Sequence, residues 1–431
     1  MPFWVVKVLT KEVKSLDINA LTRGRSIIMK VRSWLFLLMS SILVLACSQD
    51  QQTERLSWVS SLFTGAEQAQ NFDRAYSVFP TSRLRAATTP RAFQVGSPVK
   101  LPKSFDFSGQ QVQVDEFLER TDTSALLILK EGQIAYESYW LTGGPDVQWI
   151  SMSVAKSFIS ALVGIAVNQG FIESIEDPVT KYVPQLNGSA YNNVSIKNIL
   201  QMSSGASWNE DYGDPESDIN RSARILAVGG SLDEFSASLV NELEPGTYNR
   251  YNSTDTQVLG MLLREVAGTS VSEYMQQQLW DPMGAESDAF WLLDSEGVEM
   301  AYGGLNATAR DYAKLGELYR QKGKVNGRQV VPSSWIQASI TPDAPHLLPG
   351  DNPLSDFPLG YGYQWWIPDT GGDYSAIGVY NQFIYVAPKR GMVIVKLSAN
   401  SAYGLSEEAS AQSEFESLAF FKALTSVSYK Q

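Results

Sequence analysis

The 431-residue chain contains one cysteine, Cys47, and one histidine, His346. A single cysteine excludes an internal disulfide. A single histidine, in the Pro-rich loop Pro345-His346-Leu347-Leu348-Pro349, deprives a Ser-His-Asp hydrolase of its base, and no Gly-x-Ser-x-Gly elbow occurs. A lone loop histidine is expected to face solvent. With so few nitrogen and sulfur ligands a zinc site would need carboxylates almost alone, so no metal site is expected. There is no Walker loop and no dinucleotide Gly motif followed by an acidic residue, which points to chemistry without a cofactor.

Positive charge is also scarce. The 34 Lys and Arg face 46 Asp and Glu, a net charge of −12. Residues 1–46 hold seven of the basic and only two of the acidic residues, so the remainder carries −17. A body that acidic repels phosphate backbones, which argues against a nucleic-acid partner; solubility explains the charge equally well. Aromatics are plentiful: 11 Trp, 19 Tyr and 18 Phe suit the stiff walls of a wide cleft.

Lys30 and Arg32 precede the apolar run Trp34-Leu35-Phe36-Leu37-Leu38-Met39, which continues through Ile42-Leu43-Val44-Leu45-Ala46 to Cys47. A positive start, an apolar stretch and a small residue before the cut describe a secretory signal. Val44-Leu45-Ala46-Cys47 resembles the bacterial lipoprotein box, which implies lipid on Cys47. Ser40 and Ser41 interrupt a run already short for an uncleaved anchor. Residues 1–28 are polar ahead of this signal, and Met29 is an alternative start.

The spacing of apolar residues predicts an α+β chain, an antiparallel sheet built from both chain ends and flanked by helices. Residues 1–47 read as signal peptide, 48–100 as tether and irregular arm, 101–175 and 300–431 as an α/β sandwich, and 176–299 as an inserted, mainly helical lobe. Two β-rich runs around Lys130-Glu131-Gly132-Gln133 predict a hairpin. Helical spacing covers residues 154–167 and 254–266, with Gly170 and Gly268 as stops. Thr308-Ala309-Arg310-Asp311 reads as a capping box opening a helix to about Arg320. Strands are expected at 363–367, 382–386 and 392–397, then an amphipathic helix at 407–426.

Ser153-Val154-Ala155-Lys156 is a Ser-x-x-Lys at the start of the first of these helices. Positions i and i+3 share a helix face, so hydroxyl and amine come within hydrogen-bond reach. Phe158, Ile159, Ala161, Leu162 and Val163 would bury the helix and dehydrate Lys156, lowering its pKa toward that of a general base. The string alone is weak evidence, since Ser97-Pro98-Val99-Lys100 repeats it without an apolar helix behind it. An N-cap serine beside a surface lysine is the competing reading.

The surroundings decide between them. Trp149-Ile150-Ser151-Met152-Ser153-Val154-Ala155-Lys156-Ser157-Phe158 resembles the first motif of class C β-lactamase-like serine hydrolases. Asp177-Pro178-Val179, Tyr182-Val183-Pro184 and Ile199-Leu200-Gln201-Met202-Ser203-Ser204-Gly205 continue the likeness. Tyr251-Asn252-Ser253 stands where the family has Tyr-x-Asn, with Ser253 in place of the asparagine. The resemblance implies a β-lactamase/transpeptidase-like fold with Ser153 as nucleophile, Lys156 as base and Tyr251 as proton carrier, its phenol held partly ionised by the neighbouring ammonium. The family's Lys/His-Thr-Gly is replaced by Ser375-Ala376-Ile377-Gly378-Val379-Tyr380-Asn381-Gln382, similar to the Gly-x-x-Gly-Gln of esterase-like and 6-aminohexanoate-dimer-hydrolase-like members, with Asn381 where glycine is usual. It implies an oxyanion hole of the Ser153 and Val379 N–H groups, with Gly378 letting substrate lie along the strand. Glu210-Asp211-Tyr212, Ser253-Thr254-Asp255-Thr256, Gly303-Gly304-Leu305-Asn306-Ala307-Thr308 and Tyr361-Gly362-Tyr363-Gln364-Trp365-Trp366 fit the same subgroup, and imply substrate contact at Tyr212. The acidic residues Asp211, Asp214, Glu216 and Asp218 read as a solvated charge run.

The expected partner is a small ester or amide. A D-amino peptidase of the penicillin-binding type, or an envelope lipoprotein that has lost turnover, are the alternatives. β-Lactamase activity itself is disfavoured, because no residue replaces the cation that meets the drug's carboxylate. Cys47 is expected to anchor the protein in the periplasm, on the outer membrane of a Gram-negative cell. Replacing Cys47 by Ser should move the protein from the membrane to the soluble periplasmic fraction, or stall it as precursor. Wild-type protein found wholly soluble on cell fractionation would overturn the lipid anchor.

Overall fold

The structure, a computed structural model, describes residues 50–426. Cys47 and the signal segment lie outside the described residues. Residues 50–54 are the helical, described end of a first unit that closes at Glu54. All that follows concerns the second unit, Arg55–Gln431.

Its backbone is a seven-stranded antiparallel sheet. The strands are β1 (Thr123–Lys130), β2 (Gln133–Tyr139), β3 (Gly360–Tyr361), β4 (Trp366–Ile367), β5 (Tyr374–Gly378), β6 (Gln382–Ala387) and β7 (Met392–Ser398). Their order is β3-β4-β5-β6-β7-β1-β2, so strands from both ends of the chain meet at the β7–β1 pair. The β1–β2 turn has Glu131 at φ 47° and Gly132 at φ 76°, two successive positive values that match the right-handed twist of a tight hairpin.

Alternation of side chains divides the core. Leu127, Leu129, Ile384, Val386, Val393 and Val395 face one side. Leu126, Ile128, Phe383, Tyr385 and Ile394 face the other. Helix α1 (Val114–Arg120) and helix α5 (Glu407–Ser426) cover the second face, where Phe105, Phe117 and Phe420 interlock. Helix α4 (Ala309–Arg320) covers the first, packing on β6, β7 and β1. It opens on the expected cap: Thr308 Oγ1 accepts from Asp311 N–H at 3.2 Å.

Helix α2 (Ala155–Asn168) and helix α3 (Ser253–Ala267) pack together beside this sheet. Every residue of α2 from Ala155 to Ala166 is buried. Gly268, in the left-handed region at φ 66°, ends α3.

The segment expected to be an irregular arm is partly regular. Short helices Ala69–Phe72 and Ala75–Val78 precede a strand, Thr81–Leu84, which pairs with Ala289–Leu292 in a second, four-stranded sheet. Four-residue elements carry too few repeats for periodicity to reveal them. Of the strand expected at 363–367, only Trp366–Ile367 pairs. Gln364 instead turns at φ 60° and bonds to Leu200 O and Thr256 Oγ1.

Trp335, on helix Ser333–Ser339, lies flat against α2 at Gly164, where a Cβ would meet its ring at 2.4 Å. Alanine gains about 1 kcal/mol of helix propensity over glycine, but overpacking a buried ring costs about 1–3 kcal/mol. Gly164→Ala should therefore lower the thermal midpoint, and a raised midpoint in a calorimetric melt would refute this packing.

Candidate active site

A tight turn, Met152–Val154, feeds directly into α2 and carries Ser153. Met152 sits at φ 45°, which a non-glycine residue adopts only under constraint. The neighbouring chain supplies it: Ser151 N–H bonds to Leu305 O at 2.7 Å, and Ser151 Oγ reaches Gly303 O. The result turns Ser153 toward a cleft of about 1060 Å³, lined also by Glu210, Tyr212, Tyr251, Trp366 and Val379.

Lys156 lies one turn on, 1 % exposed. Its Nζ donates to Ser153 Oγ at 2.7 Å, Ser253 Oγ at 3.1 Å and the Tyr302 carbonyl at 3.1 Å. Burial lowers its pKa from 10.5 to about 7, against the opposing pull of the Glu210 carboxylate. The apolar helix face behind Ser153 thus does what its sequence indicated.

Tyr251 immediately precedes Asn252, whose side chain caps α3 by accepting from Thr254 N–H. The ring stacks on Trp366 at 5.2 Å and lies 4.8 Å from the Lys156 amine, face on. The surroundings oppose the expected partial ionisation of the phenol. Burial pushes its pKa well above 10, Glu210 pushes it further, and a hydrogen bond with Ser153 only partly opposes them. The amine meets the π face, and a negative charge stands nearby, so a phenolate has no net support.

β5 crosses in front of the serine. A Cβ on Gly378 would lie 2.9 Å from both Ser153 N and Ser151 O, so only glycine allows this approach. Val379 follows at once and lines the cleft. Tyr380 and Asn381 then turn at φ 64° and 66°. Asn381 tolerates the left-handed region that makes glycine usual there, and it is held by Asn400 and Ser413.

Tyr212 lines the cleft, but its hydroxyl is spent on Glu210 Oε1 at 2.6 Å. Glu210 is the residue sequence reasoning passed over, although it sat in the quoted Glu-Asp-Tyr triplet. Its Oε1 also receives Ser253 Oγ at 2.7 Å, while Oε2 receives Ser253 N–H at 3.1 Å and the Trp208 indole. Tyr302 was missed too, since a backbone carbonyl leaves no trace in side-chain patterns. Asp211 and Asp214 accept from the N–H groups of Gly213 and Glu216 in local turns. Ser97-Pro98-Val99-Lys100 forms no helix. His346, expected to face solvent, is 4 % exposed, because Leu347 beside it enters the core; it does not line the cleft. Among the described residues no cluster of His, Cys, Asp and Glu could hold a metal ion, and no helix is long and apolar enough to cross a membrane.

Residues 113–415 match the family model described as Beta-lactamase. The chain belongs to the β-lactamase family. A 6-aminohexanoate-dimer hydrolase of Paenarthrobacter ureafaciens is 34% identical over 295 residues, covering 66% of this chain and 75% of that protein. Among solved structures, one from Bacillus anthracis, provisionally assigned as a 6-aminohexanoate-dimer hydrolase, superposes with a TM-score of 0.72 at 22% identity, covering 83% of this chain and 93% of that one. A class C β-lactamase superposes at 0.53 with 15% identity over 74% and 95%. At those identities the structures share the fold. This member of the β-lactamase family is a serine hydrolase of mixed helix and antiparallel sheet.

An amine that titrates near pH 7 has its lone pair free only above that pH. Hydrolysis that uses Lys156 as base should rise through an apparent pKa near 7 in kcat/KM, and Lys156→Arg should be nearly as inactive as Lys156→Ala, because a guanidinium stays protonated. An active Arg variant would exclude the base role.

Proposed function

We propose that this enzyme cleaves a linear ester or amide through an acyl-enzyme on Ser153. The observation that carries the reading is the buried Lys156 amine, 2.7 Å from Ser153 Oγ with its pKa lowered to about 7. As Ser153 Oγ bonds to the carbonyl carbon, its proton passes to Lys156 Nζ. The carbonyl oxygen becomes an oxyanion between the N–H groups of Ser153 and Val379. Tyr251, a neutral phenol, gives its proton to the leaving oxygen or nitrogen as the carbonyl bond to it breaks, and the proton held by Lys156 passes back to the tyrosine oxygen through the incoming water, since the amine faces the ring and not its hydroxyl. Water then repeats the sequence on the ester and frees Ser153.

The relative that hydrolyses 6-aminohexanoate dimers supports a linear amide as substrate. At the third motif the strand presents Ile377, Gly378 and Val379, none of which is a cation that could meet a β-lactam carboxylate. Tyr212 would meet substrate with its ring, since its hydroxyl is engaged. The same reading tethers the enzyme to a membrane through lipid on Cys47, with the cleft in the periplasm.

Ser153→Ala should abolish labelling by a fluorophosphonate probe and reduce turnover about 1000-fold or more. The substitution should change stability by only about 1 kcal/mol, since one hydroxyl is lost. The substrates to compare are p-nitrophenyl esters, aminohexanoate oligomers, nitrocefin and D-Ala-D-Ala peptides. A Ser153→Ala protein that keeps more than a few per cent of activity would refute the nucleophile.

A further inference from the structure

We propose that Glu210 is a positioning residue that acts through the Ser253 hydroxyl to aim the lone pair of Lys156 at Ser153. The inference rests on the assignment of Ser153 and Lys156 as nucleophile and base.

A neutral lysine amine has two N–H groups and one lone pair, and three oxygens surround Nζ. The Tyr302 carbonyl can only accept, so it takes one N–H. Ser253 Oγ has a single proton, which it gives to Glu210 Oε1 at 2.7 Å; toward Lys156 it too can only accept. Both N–H groups are then committed, and the third direction, toward Ser153 Oγ, is left to the lone pair. That is the orientation needed to receive the serine proton.

Glu210 can hold Ser253 in this polarity because it is itself an obligate acceptor. Four donors converge on its two oxygens: Ser253 Oγ, Tyr212 OH, Ser253 N–H and the Trp208 indole. Two of these, the backbone N–H and the indole, cannot be reversed. No cation pairs with Glu210 among the described ion pairs. Its charge therefore acts on the Lys156 and Tyr251 groups next to it, raising the pKa of each.

Glutamine at this position makes a definite prediction. Its amide oxygen must meet the two irreversible donors, so its NH₂ faces Ser253 Oγ and Tyr212 OH. Ser253 then accepts from the amide and turns its own proton toward Lys156. The amine lone pair is captured there, and an N–H is left pointing at Ser153. If Glu210 only braces the loop against α3, glutamine, which has the same shape, should be nearly silent.

The test follows the rate at which a small fluorophosphonate labels Ser153, across pH 5 to 9, in the full-length protein. This readout reports activation of the serine and owes little to substrate binding. Glu210→Gln should slow labelling at pH 8 by about 10- to 100-fold, part of what a general base contributes. Its acidic limb should move to lower pH, because the charge that favours the ammonium is gone. Ser253→Ala, which removes one oxygen, should slow labelling comparably. The decisive comparison is the double variant, which should be no slower than Ser253→Ala alone to within about three-fold, since Glu210 then has no hydroxyl to orient. Losses that multiply, or a Glu210→Gln protein with wild-type rate and pH profile, would overturn the proposal. Thermal melts of each variant separate misfolding from chemistry, and Ser253→Ala with its double variant keeps the test decisive if Glu210→Gln alone melts early. If Ser153→Ala still reacts with the probe, the assignment of the nucleophile fails instead, and the two failures are distinct.

Discussion

Almost everything in the cleft follows from placing one lysine amine where water cannot reach it. Lys156 Nζ sits under an apolar helix and meets oxygens from three other places: Ser153, the start of α3 and the turn at Tyr302. An ammonium taken out of water without partners costs several kcal/mol. The fold supplies acceptors enough for the protonated form, yet not enough charge to keep it favoured near neutral pH. A fall from 10.5 to about 7 represents on the order of 5 kcal/mol in favour of the neutral amine. The adjacent segments are held accordingly. Ser157 is tied to Gln364 O, and Gln364 to Leu200 and Thr256, so the sheet, α2 and α3 cannot drift apart around the amine.

Burial first, and the neighbouring charge second, raise the pKa of Tyr251 and so oppose a phenolate. Glu210 is close enough to disfavour a second anion, and the amine touches the ring face, where its attraction is to the π cloud. The two buried groups are thus shifted in ways that each favour the neutral form, the amine by desolvation and the phenol by desolvation and charge together.

The third-motif strand shows how a shared fold is turned toward other substrates. Gly378 is required by backbone approach to Ser153, whatever the substrate, since a Cβ would strike Ser153 N and Ser151 O. The residues on either side, Ile377 and Val379, are apolar and form a wall of the cleft. Function in this superfamily is decided by such local exchanges on a constant frame.

How far the residues alone could lead depended on the range of each interaction. Periodicity located α2, α3, α4, α5 and the β1–β2, β6–β7 hairpins, because each repeats its pattern over enough residues to average out exceptions. Ser153 and Lys156 were legible for a related reason: the helical turn that carries Ser153 runs straight into α2, so a spacing of three residues dictates contact. Four-residue elements such as Thr81–Leu84 were invisible, since they are stabilised only by the partner strand Ala289–Leu292, some two hundred positions away. Glu210, Ser253 and the Tyr302 carbonyl come from three separate stretches and meet only when the chain folds. The burial of His346 and the raised pKa of Tyr251 belong to the same class. Their fates turn on desolvation and on charges brought near by folding, quantities that no local pattern contains. The sequence by itself determined that Ser153 and Lys156 meet, because they stand three residues apart on one continuous helical run; tertiary packing alone decided which oxygens and charges surround them.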